Sequence, residues 1–284
     1  MTARREWSRR TGAKTPRRRF SVGRFFIAAV AACALLSAAG SVRAQTQGDI
    51  ESQIGLRVEQ SLEAKGEILR DSPDYALLRP VSARIAQVAD PLYGRPFRFY
   101  VVREAQPNAF AVPGGNVYVT EGMFAFARTR EELGGVLCHE VSHDIHHDVV
   151  RNARRDEEVV AGASILANLF GHGRNRIVNT LLGATAAETE LHFSRSVETN
   201  ADLTGSDICA AAGIDPYGMI WLLRRFSSAN LKHPPEFLSD HPGDAHRIAT
   251  LRRHFLLHPS RFGGFSADPA TGTPLAVSGT EEGR

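Results

Sequence analysis

The residues best equipped for chemistry are His139-Glu140-Val141-Ser142-His143. Histidines four apart share one face of a helix, a turn from each other, so both imidazoles can reach one ion. Glu140 lies beside that ion's position and can take a proton from a water there. The pattern also arises by chance on a solvated helix face, so its surroundings decide. Leu133, Val136, Leu137 and Val141 give the same helix apolar residues to bury. A buried pair of histidines flanking a carboxylate is hard to accommodate without a metal.

A catalytic zinc site needs a third protein ligand. An extended motif with glycine at position 146 and histidine at position 149 would supply it nearby, but the chain has His146 and Val149. The remaining source is a carboxylate from a later helix. Glu198 and Asp202 stand four apart in Glu198-Thr199-Asn200-Ala201-Asp202. Glu198 is expected to join His139 and His143 as the third ligand, and Asp202 to fix the tautomer of a ligating histidine. One Zn2+ per chain is the implied cofactor. His146 and His147 read as a basic helix end that suits the dipole, with a second metal site the alternative. Cys138 points about 100° around the helix from His139, away from the metal. Cys138 and Cys209 are read as buried free thiols, with a disulfide the alternative in an oxidising compartment.

The elements that must position these residues follow from periodicity. Residues 50–90 read as helical, with Ile54, Val58 and Leu62 and then Leu77, Leu78, Val81, Ile85 and Val88 at helical spacing. Phe97–Val102 is a strand by β-branched and aromatic content, and Asn108–Val112 and Asn116–Thr120 form a hairpin about Pro113-Gly114-Gly115. Thr129 and Glu132 make a capping box for a helix predicted to run to about Arg151. Further helices are predicted over 157–170, 176–192, 195–212, 216–227 and 244–257, with a Pro-rich loop over 230–243. The apolar stretch Val159–Phe170 reads as core, with peripheral membrane contact the alternative. From Gly263 onward the Gly, Pro, Ser and Thr content predicts a disordered tail over 263–284.

The first 44 residues read as an export leader. A basic stretch over Arg4–Arg24 precedes the apolar run Phe25–Leu36, which is too short to span a bilayer convincingly. Val42-Arg43-Ala44 places small residues for cleavage after Ala44, and an uncleaved anchor is the alternative. Arg17-Arg18-Arg19-Phe20 also fits a loose twin-arginine pattern. These 44 residues hold ten of the 34 Lys/Arg and one of the 31 Asp/Glu, leaving 24 against 30, a formal net of −6. The basic balance belongs to the leader, so nothing supports nucleic-acid binding. The expected location is periplasmic or otherwise exported, soluble after cleavage.

Four segments together resemble one family of gluzincin metalloproteases, which includes the CAAX prenyl endopeptidases, the HtpX-like heat-shock proteases and the beta-barrel assembly-enhancing protease. They are Asn108–Gly115, His139–His143, Ser194–Asp202, and Asp240-His241-Pro242 followed by Arg247-Ile248. The resemblance spans roughly residues 48–257. It implies an α+β, mainly helical, zincin-like domain over 45–262, with a small β-sheet and an active-site helix bearing the HExxH motif. It also implies zinc-dependent hydrolysis of peptide bonds in unfolded or misassembled envelope proteins. The membrane helices of the prenyl and heat-shock branches, and the helical repeats of the assembly-enhancing branch, have no counterpart here, so a soluble member is expected. Glu140 is the expected general base. The hairpin segment Asn108, Ala109, Phe110 and Ala111 is expected to bind substrate as an edge strand. His241 and Arg247 are candidates to contact substrate or stabilise an oxyanion, and His241 is alternatively a fourth metal ligand that plugs the site. A metal-containing holdase with little turnover is the rival reading, which an intact Glu140 disfavours.

Overall fold

The computed structural model describes residues 47–155, 193–229, 237, 241 and 244–275. The leader, both helices predicted over 157–192 and most of the Pro-rich loop lie outside the described residues. In chain order the elements are α1 (Gln47–Ala64), α2 (Tyr75–Tyr93), β1 (Arg98–Val102), β2 (Ala109–Val112), β3 (Asn116–Thr120) and α3 (Glu121–Phe126). They continue with α4 (Arg130–Ile145), α5 (Asp148–Arg155), α6 (Arg195–Ala211), α7 (Tyr217–Ser228), α8 (Asp244–Leu257) and α9 (Pro259–Phe262). The class is mainly helical with one small sheet, as expected.

The sheet has the order β1-β3-β2, with β1 parallel and β2 antiparallel to β3. All five residues of β3 are buried, because both faces of the sheet are covered. Alternation along the strand assigns its side chains. Val117 and Val119 join the main core with Leu78, Val81, Leu133 and Leu137 of α2 and α4. Tyr118 points the other way, to a second core with Ile54, Val58 and Leu62 of α1. β2 is left as an edge strand.

α4 is the central element. Every residue from Glu132 to Asp144 is buried, so it packs on all sides rather than along one stripe. Its start is a capping box: Thr129 Oγ1 accepts from Glu132 N at 3.1 Å, and Glu132 Oε2 accepts from Thr129 N at 3.3 Å. α6 crosses it closely enough that a β-carbon on Gly205 would stand 2.9 Å from the Cys138 carbonyl oxygen. At that crossing Cys138 and Cys209 form a disulfide, Cα to Cα 5.9 Å. This corrects the free-thiol expectation: two cysteines on helices packed this tightly fall within bridging distance.

Three boundaries also differ from expectation. The helical region near the start is two helices, broken where Ile68 pairs with Val102 of β1. α4 ends at Ile145 rather than near Arg151, because His147 takes a left-handed conformation, φ 55°, before α5 begins. Residues 263–275 are ordered. Arg130 N donates to Thr273 O and Leu275 N to Arg128 O, both at 2.8 Å, Trp221 Nε1 donates to Ala267 O at 3.1 Å, and Leu275 is buried. Polar composition missed this stretch because a few backbone pairs and one apolar anchor hold it. Among the described residues, no helix is long and apolar enough to cross a membrane.

Candidate metal centre

α4 carries His139, Glu140 and His143, and α6 carries Glu198 and Asp202. Ser194 starts α6, its hydroxyl accepting from Val197 N at 3.4 Å, which places Glu198 in the first turn facing α4. His139 Nε2 and His143 Nε2 are 3.1 Å apart. Glu198 brings Oε2 to 3.4 Å from His139 Nε2 and Oε1 to 3.6 Å from His143 Nε2. His241 enters from the loop before α8, with Nδ1 2.9 Å from Glu198 Oε1 and 3.3 Å from His139 Nε2. All four residues are buried, and their donor atoms lie within 4.8 Å of one another.

These separations test whether zinc fits. Bonds of about 2.0–2.1 Å in a tetrahedron put ligand atoms about 3.3 Å apart, which is the spacing seen. The outer nitrogens of both helix histidines are spoken for. His139 Nδ1 is 3.0 Å from Asp202 Oδ1, and His143 Nδ1 is 2.9 Å from Asp148 Oδ2. Donating there leaves each Nε2 as a lone pair, and two lone pairs facing each other at 3.1 Å call for a cation between them. The donor set fits zinc.

Glu140 stands beside the cluster and is buried with it. Its Oε2 accepts from Ala111 N of β2 at 3.0 Å, while Oε1 has no hydrogen bond among the described residues and lies 3.6 Å from His241 Nε2. Burial is the main reason its carboxyl is pushed up to about 8, against the pull of His139. Burial also drives His241 down to about 4, with Glu198 opposing it. For Asp202, burial works upward, but the Arg247 charge and hydrogen bonds outweigh it and hold the carboxyl at about 2. Glu198 is likewise held well below the usual carboxylate range, because His241 and His139 overcome its burial.

Arg247, on α8, is 1% exposed. Its Nε donates to Asp202 Oδ2 at 2.8 Å, Nη2 to Asp202 Oδ1 at 2.7 Å, and Nη1 to the His241 carbonyl at 3.1 Å. Nη1 also lies 3.2 Å from Glu198 Oε2. The guanidinium is therefore held by Asp202, Glu198 and the His241 carbonyl. On β2, Asn108 O accepts from Thr120 N at 3.0 Å, so the alternate residues Ala109 and Ala111 turn their backbone groups away from β3. The Ala109 side chain is core, Phe110 stacks on Tyr118 at 5.1 Å, and among the described residues neither amide atom of the buried Asn108 side chain has a hydrogen-bond partner.

Two neighbours of the cluster escaped sequence reasoning. Asp148 is five residues past His143, off its face in a continuous helix, and only the left-handed turn at His147 brings it back. Phe193 stacks on the His143 ring at 4.5 Å, and no spacing rule links the two.

The profile of Peptidase family M48 matches residues 76–254, which include every residue of the cluster. A beta-barrel assembly-enhancing protease of Yersinia pestis is 30% identical over 55% of this chain and 34% of its own length. That of Escherichia coli (strain K12) is 26% identical over 71% of this chain and 43% of its own. Mitochondrial metalloendopeptidase OMA1 of Schizosaccharomyces pombe is 31% identical over 55% and 45%, respectively. The chain thus spans less than half the length of these relatives. A profile covering α2 through most of α8, over a donor set suited to zinc, leads to one conclusion: the chain belongs to peptidase family M48.

Proposed function

We propose that the chain is a zinc-dependent endopeptidase acting on unfolded or misassembled envelope proteins. The observation that carries this is the cluster of His139, His143 and Glu198, with a Glu140 oxygen beside it that has no partner among the described residues. Zinc, when bound there, supplies Lewis acidity, making a water acidic near neutral pH and polarising a carbonyl. Glu140 is the base that accepts the water's proton and passes it to the leaving amine. Substrate lies extended along the β2 edge, pairing with the outward backbone groups of Ala109, while the Asn108 amide gains the hydrogen bonds it lacks. His139 and His143 are oriented by Asp202 and Asp148, and Arg247 holds Asp202 and Glu198 in place.

His241 is a plug in this reading. Its Nδ1 stands where a fourth ligand would complete the set, so displacing it opens the position a water needs. Export with cleavage after Ala44 places the chain in the envelope, and two relatives carry names that refer to β-barrel assembly, which supports substrates of that class. The test is metal analysis and casein cleavage by the chain from Gln45 onward, beside Glu140→Gln. One zinc in both proteins with cleavage only in the parent supports the reading. Zinc with equal cleavage in both removes Glu140 from its role, and zinc with no cleavage in either favours a holdase.

A further inference from the structure

The turn between α4 and α5 has one task that helix geometry alone cannot perform. In a continued helix, Asp148 would lie about 140° around the axis from His143. It reaches His143 Nδ1, at 2.9 Å, because His147 adopts φ 55°. That conformation is disfavoured for a residue with a side chain, and Gly or Asn is the usual occupant. Here it is held from outside: His147 Nδ1 donates to Glu51 Oε1 at 2.7 Å, across 96 residues of chain.

We propose that Glu51 is a positioning residue for the metal centre, acting through His147 and Asp148 on His143. The proposal rests on the zinc reading above. Glu51 is 1% exposed, and its other oxygen, Oε2, accepts from the Tyr93 hydroxyl at 3.0 Å. The Tyr93 oxygen accepts in turn from Gly114 N at 2.9 Å, in the turn between β2 and β3. α1 is seated directly on that turn. Asn116 Nδ2 donates to Gly55 O at 3.2 Å, and a β-carbon on Gly55 or Gly114 would come within 2.7 Å of Pro113 O or 2.8 Å of Glu51 O. One carboxylate therefore ties together the hairpin that bears the substrate edge and the turn that bears the ligand's partner. A buried carboxylate so placed depends on the donors that satisfy it, His147 and Tyr93 among them.

The test is zinc affinity, measured by equilibrium competition with a chromogenic chelator on the chain from Gln45 onward. Asp148→Asn is expected to weaken zinc about 10- to 100-fold, the usual cost of losing a ligand's orienting partner. Glu51→Gln is expected to weaken it about 3- to 10-fold, since it acts one step further out. In an Asp148→Asn background, Glu51→Gln should add nothing within about twofold, because both act along one path. Two substitutions at the half-buried His147 keep the idea testable if Glu51 variants fold poorly. His147→Ala loses the clamp and keeps a β-carbon in the left-handed turn, so it should bind zinc several-fold more weakly than His147→Gly, which takes that turn freely. A general packing role would lower melting temperature alike in both backgrounds and leave zinc affinity alone. Additive losses, unchanged affinity in Glu51→Gln, or equal affinities for the two His147 variants overturn the proposal. A parent chain that binds no zinc sinks the metal reading as well.

Discussion

The two walls of the site are built on different rules. The wall formed by α4 and α6 is backed at every ligand: Asp202 behind His139, Asp148 behind His143, and Arg247 beside Glu198. A disulfide joins the same two helices one residue from His139. The facing side, formed by β2, Asn108 and His241, meets one Glu140 oxygen of α4, and among the described residues neither that oxygen nor the Asn108 amide has a hydrogen bond. Buried polar atoms are normally paired, so unpaired ones beside the cluster call for an explanation. In the proposed reading the α4–α6 wall fixes a geometry, and the β2 wall keeps hydrogen-bonding capacity for a peptide.

Substitutions on the two walls should separate metal binding from turnover. The largest effect belongs to Glu140→Gln, which should lower peptide hydrolysis by about 10²- to 10⁴-fold at unchanged zinc content. Glu198→Ala should weaken zinc by more than about 100-fold, beyond the cost of an outer partner, as read by chelator competition. Equal zinc affinity in that variant would break the comparison, because the third ligand would lie elsewhere. Asp202→Asn keeps the side-chain shape but takes a charge from behind His139, and should cost about 10- to 100-fold in zinc affinity. His241→Ala should raise basal cleavage of an unfolded substrate, by about tenfold if the plug is in place nine times in ten. A fall in rate at full zinc content would instead make His241 a substrate contact. The smallest effect on the site is expected from replacing both Cys138 and Cys209 with alanine. Unfolding free energy should drop by about 2–4 kcal/mol, while zinc affinity of the folded chain stays within a few-fold.

What the sequence disclosed follows the same division. His139, Glu140 and His143 were readable because helical spacing alone puts them together, and Thr129 with Glu132 marked where that helix starts. Glu198 and Asp202 were readable as a second pair at one-turn spacing on a capped helix. The β2–β3 hairpin showed itself through strand residues flanking Pro113-Gly114-Gly115. The rest depends on groups distant in the chain. Nothing at His147 announces a left-handed residue, because the support comes from Glu51, and with that turn hidden Asp148 could not be placed. The Cys138–Cys209 bridge depends on how closely α6 crosses α4, which two isolated cysteines do not encode. Arg247 lies beside the cluster, but its bonds to Asp202 and the His241 carbonyl come from elements distant in the chain, so its orientation could not be read from spacing. The stretch 263–275 is held by backbone pairing with Arg128 and Arg130, to which composition is blind.

The central claim is that His139, His143 and Glu198 hold one zinc. Anomalous scattering at the zinc edge from crystals of the chain grown with zinc tests it most directly. The account predicts one strong peak, bonded at about 2.0–2.2 Å to His139 Nε2, His143 Nε2 and a Glu198 carboxylate oxygen. A peak that omits Glu198, or a zinc seated on other residues while this cluster stays empty, would contradict it.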